Sequence, residues 1–183
     1  RMAAEKPQDV DFAPLSFLIV DGNQHMISIL RELLRAFGAN QIHEARDAAD
    51  AFELVRSVKI DFAIVDFLME PLDGLDFTRL TRTASDSANK TMPIILLTAH
   101  TERSKIYAAR DAGASDVVRK PVSAQVLYQR IQNILQAERE FVTNNKYTGP
   151  CRRRRDTPIN GKDRRKSEAV PYTHLTRPTI SSV

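Results

Sequence analysis

The sequence predicts an α/β protein: one doubly wound, five-stranded parallel sheet with helices on both faces. Three observations carry that prediction. Short apolar runs are continuous rather than alternating, so both of their faces are buried, as in a parallel sheet. Each run is followed by a segment of helical period. The runs end in Asp, Thr or Lys, at the edge where such sheets bind ligands.

The first run, LSFLIVD at 15–21, is too short for a helix and ends in an aspartate. After it, Met26, Ile29, Leu30, Leu33, Leu34 and Phe37 recur at intervals of three and four, and Gly38 stands where a left-handed cap is needed. QIHEA at 41–45 is a weaker strand, and DAADAFELVRS, opened by Asp47 as N-cap, is the second helix. DFAIVD at 61–66 is a third strand, followed by a helix over LDFTRLTRTA. PIILLTA at 93–99 and the helix ERSKIYAARDAG repeat the unit. SDVVRKP at 115–121 and the helix SAQVLYQRIQNILQAERE, with Ser123 as N-cap, complete it. Alternation alone leaves the strand order open. Past residue 140 the periodicity stops, and Asn, Thr, Ser, Pro, Gly and charge predominate, so an extended or disordered tail is expected.

With 183 residues, of which 42% are hydrophobic, the chain has room for one packed domain and an appendage. The expected division is an N-terminal extension at 1–14, a domain at 15–140, a linker at 141–150, an arginine-rich segment at 151–168 and a flexible end at 169–183. No apolar run approaches the roughly 18 residues a membrane span needs. The opening RMAAEKPQDVDFAP lacks the apolar core of an export signal, and a single cysteine, Cys151, forms no internal disulfide, so cytosol is the expected compartment. The net charge of +4 is misleading until it is located. Residues 151–166 hold eight Arg and Lys against two Asp, which leaves the rest of the chain net negative. A mildly acidic domain with a cationic arm implies an anionic ligand for the arm.

At the strand ends stand Asp21, Asp66, Thr98 and Lys120. Two carboxylates, a hydroxyl and an amine converging there suit Mg²⁺ and a phosphoryl group: carboxylates hold the metal, one serves as nucleophile, and the other two groups bind phosphoryl oxygens. Polar strand ends are common, and any one of these residues alone says little; it is their combination that is telling. The four histidines, His25, His43, His100 and His174, have no metal-ligand spacing and read as surface or packing residues.

FLIVDGNQHM, AIVDFLMEPLDG, IILLTAHT and DAGASDVVRKPV, each at a strand-to-helix boundary, closely resemble the CheY-like receiver domains of two-component response regulators over about residues 15–138. The resemblance implies a flavodoxin-like sheet of order 2-1-3-4-5, Asp66 as phosphoacceptor, Thr98 as switch hydroxyl, Lys120 as phosphoryl-binding amine and a cis peptide before Pro121. It also implies a histidine kinase as a candidate partner. Two departures matter. Receivers carry two adjacent acids after the first strand, whereas this chain reads Asp21-Gly22, so the Mg²⁺ site of Asp21 and Asp66 is expected to be weak. The position of the switch aromatic is held by Val117. A shifted proline in MEPLDG reads as neutral.

Three readings compete for CRRRRDTPINGKDRRK: an idle solvated tail, a non-specific arm for nucleic acid or anionic membrane, and a specific guanine-nucleotide site. Eight cations in sixteen residues favour the second over the first. Asp156 and Asp163 interrupt the basic runs and arginine outnumbers lysine, which favours the third. Arginine donates a fork of hydrogen bonds to guanine O6 and N7, and an aspartate accepts from the other edge of the base. Arg153 to Asp156 resembles the R-x-x-D inhibitory site of diguanylate cyclases. Receiver, YTGPCRRRRD and DRR together resemble the alphaproteobacterial Cle proteins, CheY-like effectors with an arginine-rich C-terminal region.

That resemblance implies capture of cyclic di-GMP, including as a stacked dimer, by Arg152, Arg153, Arg154, Arg155, Asp156, Asn160, Asp163, Arg164 and Arg165. The turn TPING would reverse the chain between the two clusters. Tyr147 adds an aromatic platform, unless it packs back on the domain. It further implies a non-enzymatic effector that docks on the flagellar motor switch through its fourth helix, fifth strand and fifth helix. Cytoplasmic location with recruitment to the flagellar pole follows, and specific DNA binding is not expected. The rivals are a phosphorylation-driven response regulator and a basic-tailed nucleic-acid or membrane tether.

Overall fold

The computed structural model describes residues 9–100, 102–137, 141–144, 147–150 and 168–170. Five units of strand and helix follow one another: β1 (Ser16–Val20), α1 (Gln24–Ala36), β2 (Gln41–Ala45), α2 (Ala48–Ser57), β3 (Phe62–Asp66), α3 (Gly74–Thr83), β4 (Ile94–Thr98), α4 (Arg103–Ala112), β5 (Asp116–Arg119) and α5 (Ala124–Gln136). The strands pair in parallel in the order β2-β1-β3-β4-β5. The predicted doubly wound sheet and its order are therefore both present.

Local chemistry explains the boundaries. Asp47 and Ser123 cap α2 and α5 by accepting the Asp50 and Val126 amides. Asn23 caps α1 in the same way, and Asp73 with Asp76 closes a capping box on α3. Gly38 and Gly113 take the left-handed conformation after α1 and α4. The last helix stops at Gln136, four residues short of the predicted end.

Strands β1, β3 and β4 are buried almost throughout, which is why they read as continuous apolar runs. Their side chains alternate between two cores. One holds Leu18, Val20, Ala63, Val65, Ile94 and Leu96 under α2, α3 and α4. The other holds Phe17, Ile19, Phe62, Ile64, Ile95 and Leu97 under α1 and α5. Phe12, in the segment assigned to an N-terminal extension, is 1% exposed and packs its ring on Phe17, Phe37 and Tyr128. The Val10 amide adds a hydrogen bond to Gln132 Oε1 on α5. The chain is thus tied to the domain ahead of the first strand.

Beyond α5 the periodicity that marks the domain is absent, yet the backbone pairs again. Strands β6 (Phe141–Asn144), β7 (Tyr147–Pro150) and β8 (Glu168–Val170) form an antiparallel sheet of order β7-β6-β8. Strand β7 lies against α3 and α4. Within the stretch assigned to a linker, residues 141–144 and 147–150 therefore pair as antiparallel strands, the second formed from a Tyr-Thr-Gly-Pro sequence that carries no strand pattern. Among the described residues no helix is long and apolar enough to cross a membrane.

Candidate functional site

The parallel sheet brings its carboxyl ends together at one edge. Asp21 follows β1 and is 1% exposed, its backbone amide held by the Ala45 carbonyl and its Oδ1 accepting the Asn23 amide at 2.8 Å. Asp66 closes β3, the neighbouring strand. Lys120 follows β5, and its backbone amide donates to the Thr98 carbonyl, which aims its side chain back across β4. Its Nζ reaches both carboxylates, 3.0 Å from Asp21 Oδ2 and 3.0 Å from Asp66 Oδ1. The peptide between Lys120 and Pro121 is cis, as the resemblance implied.

The electrostatics follow from this crowding. Burial raises the Asp66 carboxyl above the ordinary aspartate range; the Lys120 hydrogen bond opposes that shift and the charge of Asp21 adds to it. Burial would lower the Lys120 ammonium, but hydrogen bonds and charge from both aspartates outweigh it and hold it above the usual lysine value. The site is thus a carboxylate held ready at the rim beside a firmly protonated amine. A carboxylate nucleophile needs an adjacent cation to neutralise an incoming phosphoryl group, and both are present.

The structure brings together three of the four predicted residues. Thr98 stands at the end of β4, 2% exposed, but its hydroxyl is turned onto the His100 backbone, donating to the carbonyl and accepting from the amide at 3.0 Å. Val117 pairs with Leu96, two register positions ahead of Thr98, and lines a cleft of about 340 Å³ with Thr98, Ile106, Pro121 and Val126. An aromatic ring at position 117 would occupy that space. The capping residues Asn23 and Asp73, which set the entry of α1 and α3 beside the site, were not singled out in the sequence, although Asp73-Gly74 precedes an apolar period as a cap does.

Magnesium requires hard oxygen donors. Asp21 and Asp66 supply two carboxylates, and Gly22 supplies none, so the donors fit the ion with one acid fewer than a receiver normally offers. Among the described residues no group of three His, Cys, Asp or Glu side chains could hold a metal.

Tyr147 packs back on its own hairpin, its hydroxyl donating to the Pro150 carbonyl at 2.8 Å. Arg152, Arg153, Arg154, Arg155, Asp156, Asn160, Asp163, Arg164 and Arg165 lie outside the described residues.

Residues 17–132 match the family model of the response regulator receiver domain. The chain belongs to the response regulator receiver family. Its receiver domain is 34% identical to the chemotaxis protein CheY of Pseudomonas aeruginosa over 122 residues, 67% of this chain and 97% of that protein. It is 30% identical to the chemotaxis protein CheY-3 of Vibrio cholerae over 67% of this chain and 92% of that protein. Among solved structures, a two-component response regulator from Clostridium difficile superimposes with a TM-score of 0.60 at 26% identity, over 67% of this chain and 96% of that one. Membership of this family supports a signalling role for the domain.

Proposed function

We propose that the chain is a non-enzymatic signalling effector whose arginine-rich segment captures cyclic di-GMP and thereby tunes docking of the receiver domain on a partner, the flagellar motor switch. The observation that carries this reading is the interleaving of Arg153–Asp156 and Asp163–Arg165 with acids that a purely electrostatic arm would exclude. Cyclic di-GMP offers two guanines and two phosphates to forks and carboxylates of this kind, in single or stacked form. The likeness to chemotaxis proteins supports a motor partner and a cytoplasmic protein recruited to the flagellar pole. The face formed by α4, β5 and α5 suits the docking, because Val126, 41% exposed, and Ile106, 40% exposed, line the cleft at Val117, and Tyr107, also on α4, is 58% exposed.

Calorimetry on the full chain tests the ligand, using cyclic di-GMP, cyclic di-AMP, GTP and duplex DNA in turn. Preference for the guanine dinucleotide, lost in Asp156→Ala, supports the reading. Equal binding of every polyanion, falling steeply with salt, would make the segment a polyelectrolyte arm.

A second reading is favoured by the Asp66–Lys120 geometry: phosphorylation of Asp66 by a histidine kinase, with Mg²⁺ held weakly by Asp21 and Asp66. Bound magnesium would shield the phosphoryl charge, while Asp66 offers the carboxylate oxygen and Lys120 holds a phosphoryl oxygen by charge-assisted hydrogen bonding. Incubation with acetyl phosphate and Mg²⁺ decides it, since a labile adduct absent from Asp66→Asn and accompanied by altered partner binding would put this input first.

A further inference from the structure

The C-terminal ends of α3 and α4 meet at a buried arginine. Arg82, in the last turn of α3, is 2% exposed. Its Nε and Nη2 both donate to the Gly113 carbonyl at 3.1 Å, and Nη1 donates to the Lys90 carbonyl at 2.8 Å. Gly113 is the C-cap of α4, so the guanidinium occupies a helix end where carbonyls lack helical partners and positive charge is favoured.

Strand β7 lies across this junction with no side chain in between. A Cβ on Gly113 would come within 2.5 Å of the Thr148 carbonyl oxygen and 3.1 Å of Arg82 Cγ. A Cβ on Gly149 would come within 2.8 Å of Gly113 Cα and 2.5 Å of the Tyr147 hydroxyl. The two glycines have different reasons to be there. Gly113 has φ +99° and needs glycine for its cap, whereas Gly149 is not among the residues of positive φ. The Gly149 backbone does not itself demand glycine; the close contacts with Gly113 and with the Tyr147 side chain of the same hairpin exclude a side chain. Gly149 and Pro150 are both buried, and the Tyr147 hydroxyl closes the strand onto the Pro150 carbonyl.

We propose that the notch between the ends of α3 and α4 is a docking seat for the chain's own hairpin, β6–β7, and that the seated hairpin sets the position of α4. Pro150 leads directly into the arginine-rich segment, so a ligand that orders the segment acts on a strand already in contact with α4. This second half rests on the cyclic di-GMP reading for its trigger; the seat itself does not. The route is separate from the phosphoryl site. It enters α4 at its C-terminal cap, away from the carboxyl ends of the strands.

Hydrogen exchange of the full chain, read by mass spectrometry, tests the seat in wild type and Gly149→Val. Exchange over 103–113 should rise about ten-fold in the variant while β1, β3 and β4 stay unchanged. If valine unfolds the chain, Gly149→Ala, which adds only the colliding Cβ, gives the same comparison. Exchange over 103–113 within about two-fold of wild type overturns the seat. Cyclic di-GMP, with binding verified by calorimetry, should change exchange over 103–113 in wild type and leave it unchanged in the variant. Bound nucleotide without that change overturns the coupling. Failure of the wild-type chain to bind nucleotide overturns the ligand reading and the coupling with it, and the seat stands or falls on the ligand-free comparison of variant and wild type.

Discussion

Lys120 Nζ lies 3.0 Å from Asp66 Oδ1 and the same distance from Asp21 Oδ2, so one ammonium bridges two carboxylates carried by adjacent strands. The burial of Asp66 nonetheless outweighs that attraction, and its carboxyl stays above the ordinary aspartate value. A folded state that holds the Asp66 proton more tightly than the unfolded chain loses stability as pH rises from the unfolded value toward the folded one, and is level beyond it.

Asp66→Asn removes the ionisable group and keeps the shape. Relative to wild type it should gain stability from about pH 4 upward and reach a plateau above the folded pKa, with Tm at neutral pH higher by about 3 °C. Thermal melts across pH check this. A difference that does not vary with pH would show that desolvation of Asp66 is not felt by the fold.

Gly22 occupies the place of the acid that receivers usually carry there. It is exposed, its φ is not positive, and a Cβ would meet only the Arg46 carbonyl, at an unstrained 3.8 Å. Gly22→Asp should therefore fold normally and bind Mg²⁺ about ten-fold more tightly, with ion-free stability slightly lower because three carboxylates crowd together. Calorimetry with MgCl₂ measures the first effect and melts with and without the ion measure the second. Unchanged affinity would mean that position 22 does not face the ion.

The fold was legible because strands buried on both faces spell themselves as continuous apolar runs, and FLIVD, AIVD and ILLT do so in β1, β3 and β4. Asp21, Asp66 and Lys120 could be found because a parallel sheet carries the residues after its strands to one edge. The hydroxyl of Thr98 could not be aimed from sequence, since its bond to the His100 backbone depends on the turn after β4. Strand β7 was missed because its Gly149 packs closely on Tyr147 and on Gly113, the latter 36 positions earlier in the chain, and no local strand pattern records that. Phe12 was missed for the same reason: a lone aromatic ahead of the first strand reads as tail until Phe37 and Tyr128 are seen to receive it.

That aromatic packing carries a quantitative expectation. Phe12→Ala deletes a fully buried ring from a close-packed site and should cost about 3 kcal/mol, measurable by urea denaturation with an unchanged m-value. A loss below about 1 kcal/mol would make residues 9–14 a frayed arm in solution.

The cleft beside Val117 gives the last test, because adding atoms to a protein is costly only where no space exists. Inserting methylenes into a filled core costs about 1–3 kcal/mol. Val117 is only partly buried and borders about 340 Å³ lined by Thr98, Ile106, Pro121 and Val126, so Val117→Phe should change stability by less than about 1 kcal/mol. Ala109, on the inner face of the neighbouring α4, is 0% exposed and has no such space. Ala109→Phe should therefore cost at least about 2 kcal/mol in the same urea titration. Equal penalties at the two positions would mean the cleft is closed in solution. The open face around Ile106 and Val126 would then have no hollow in which a partner's side chain could lodge.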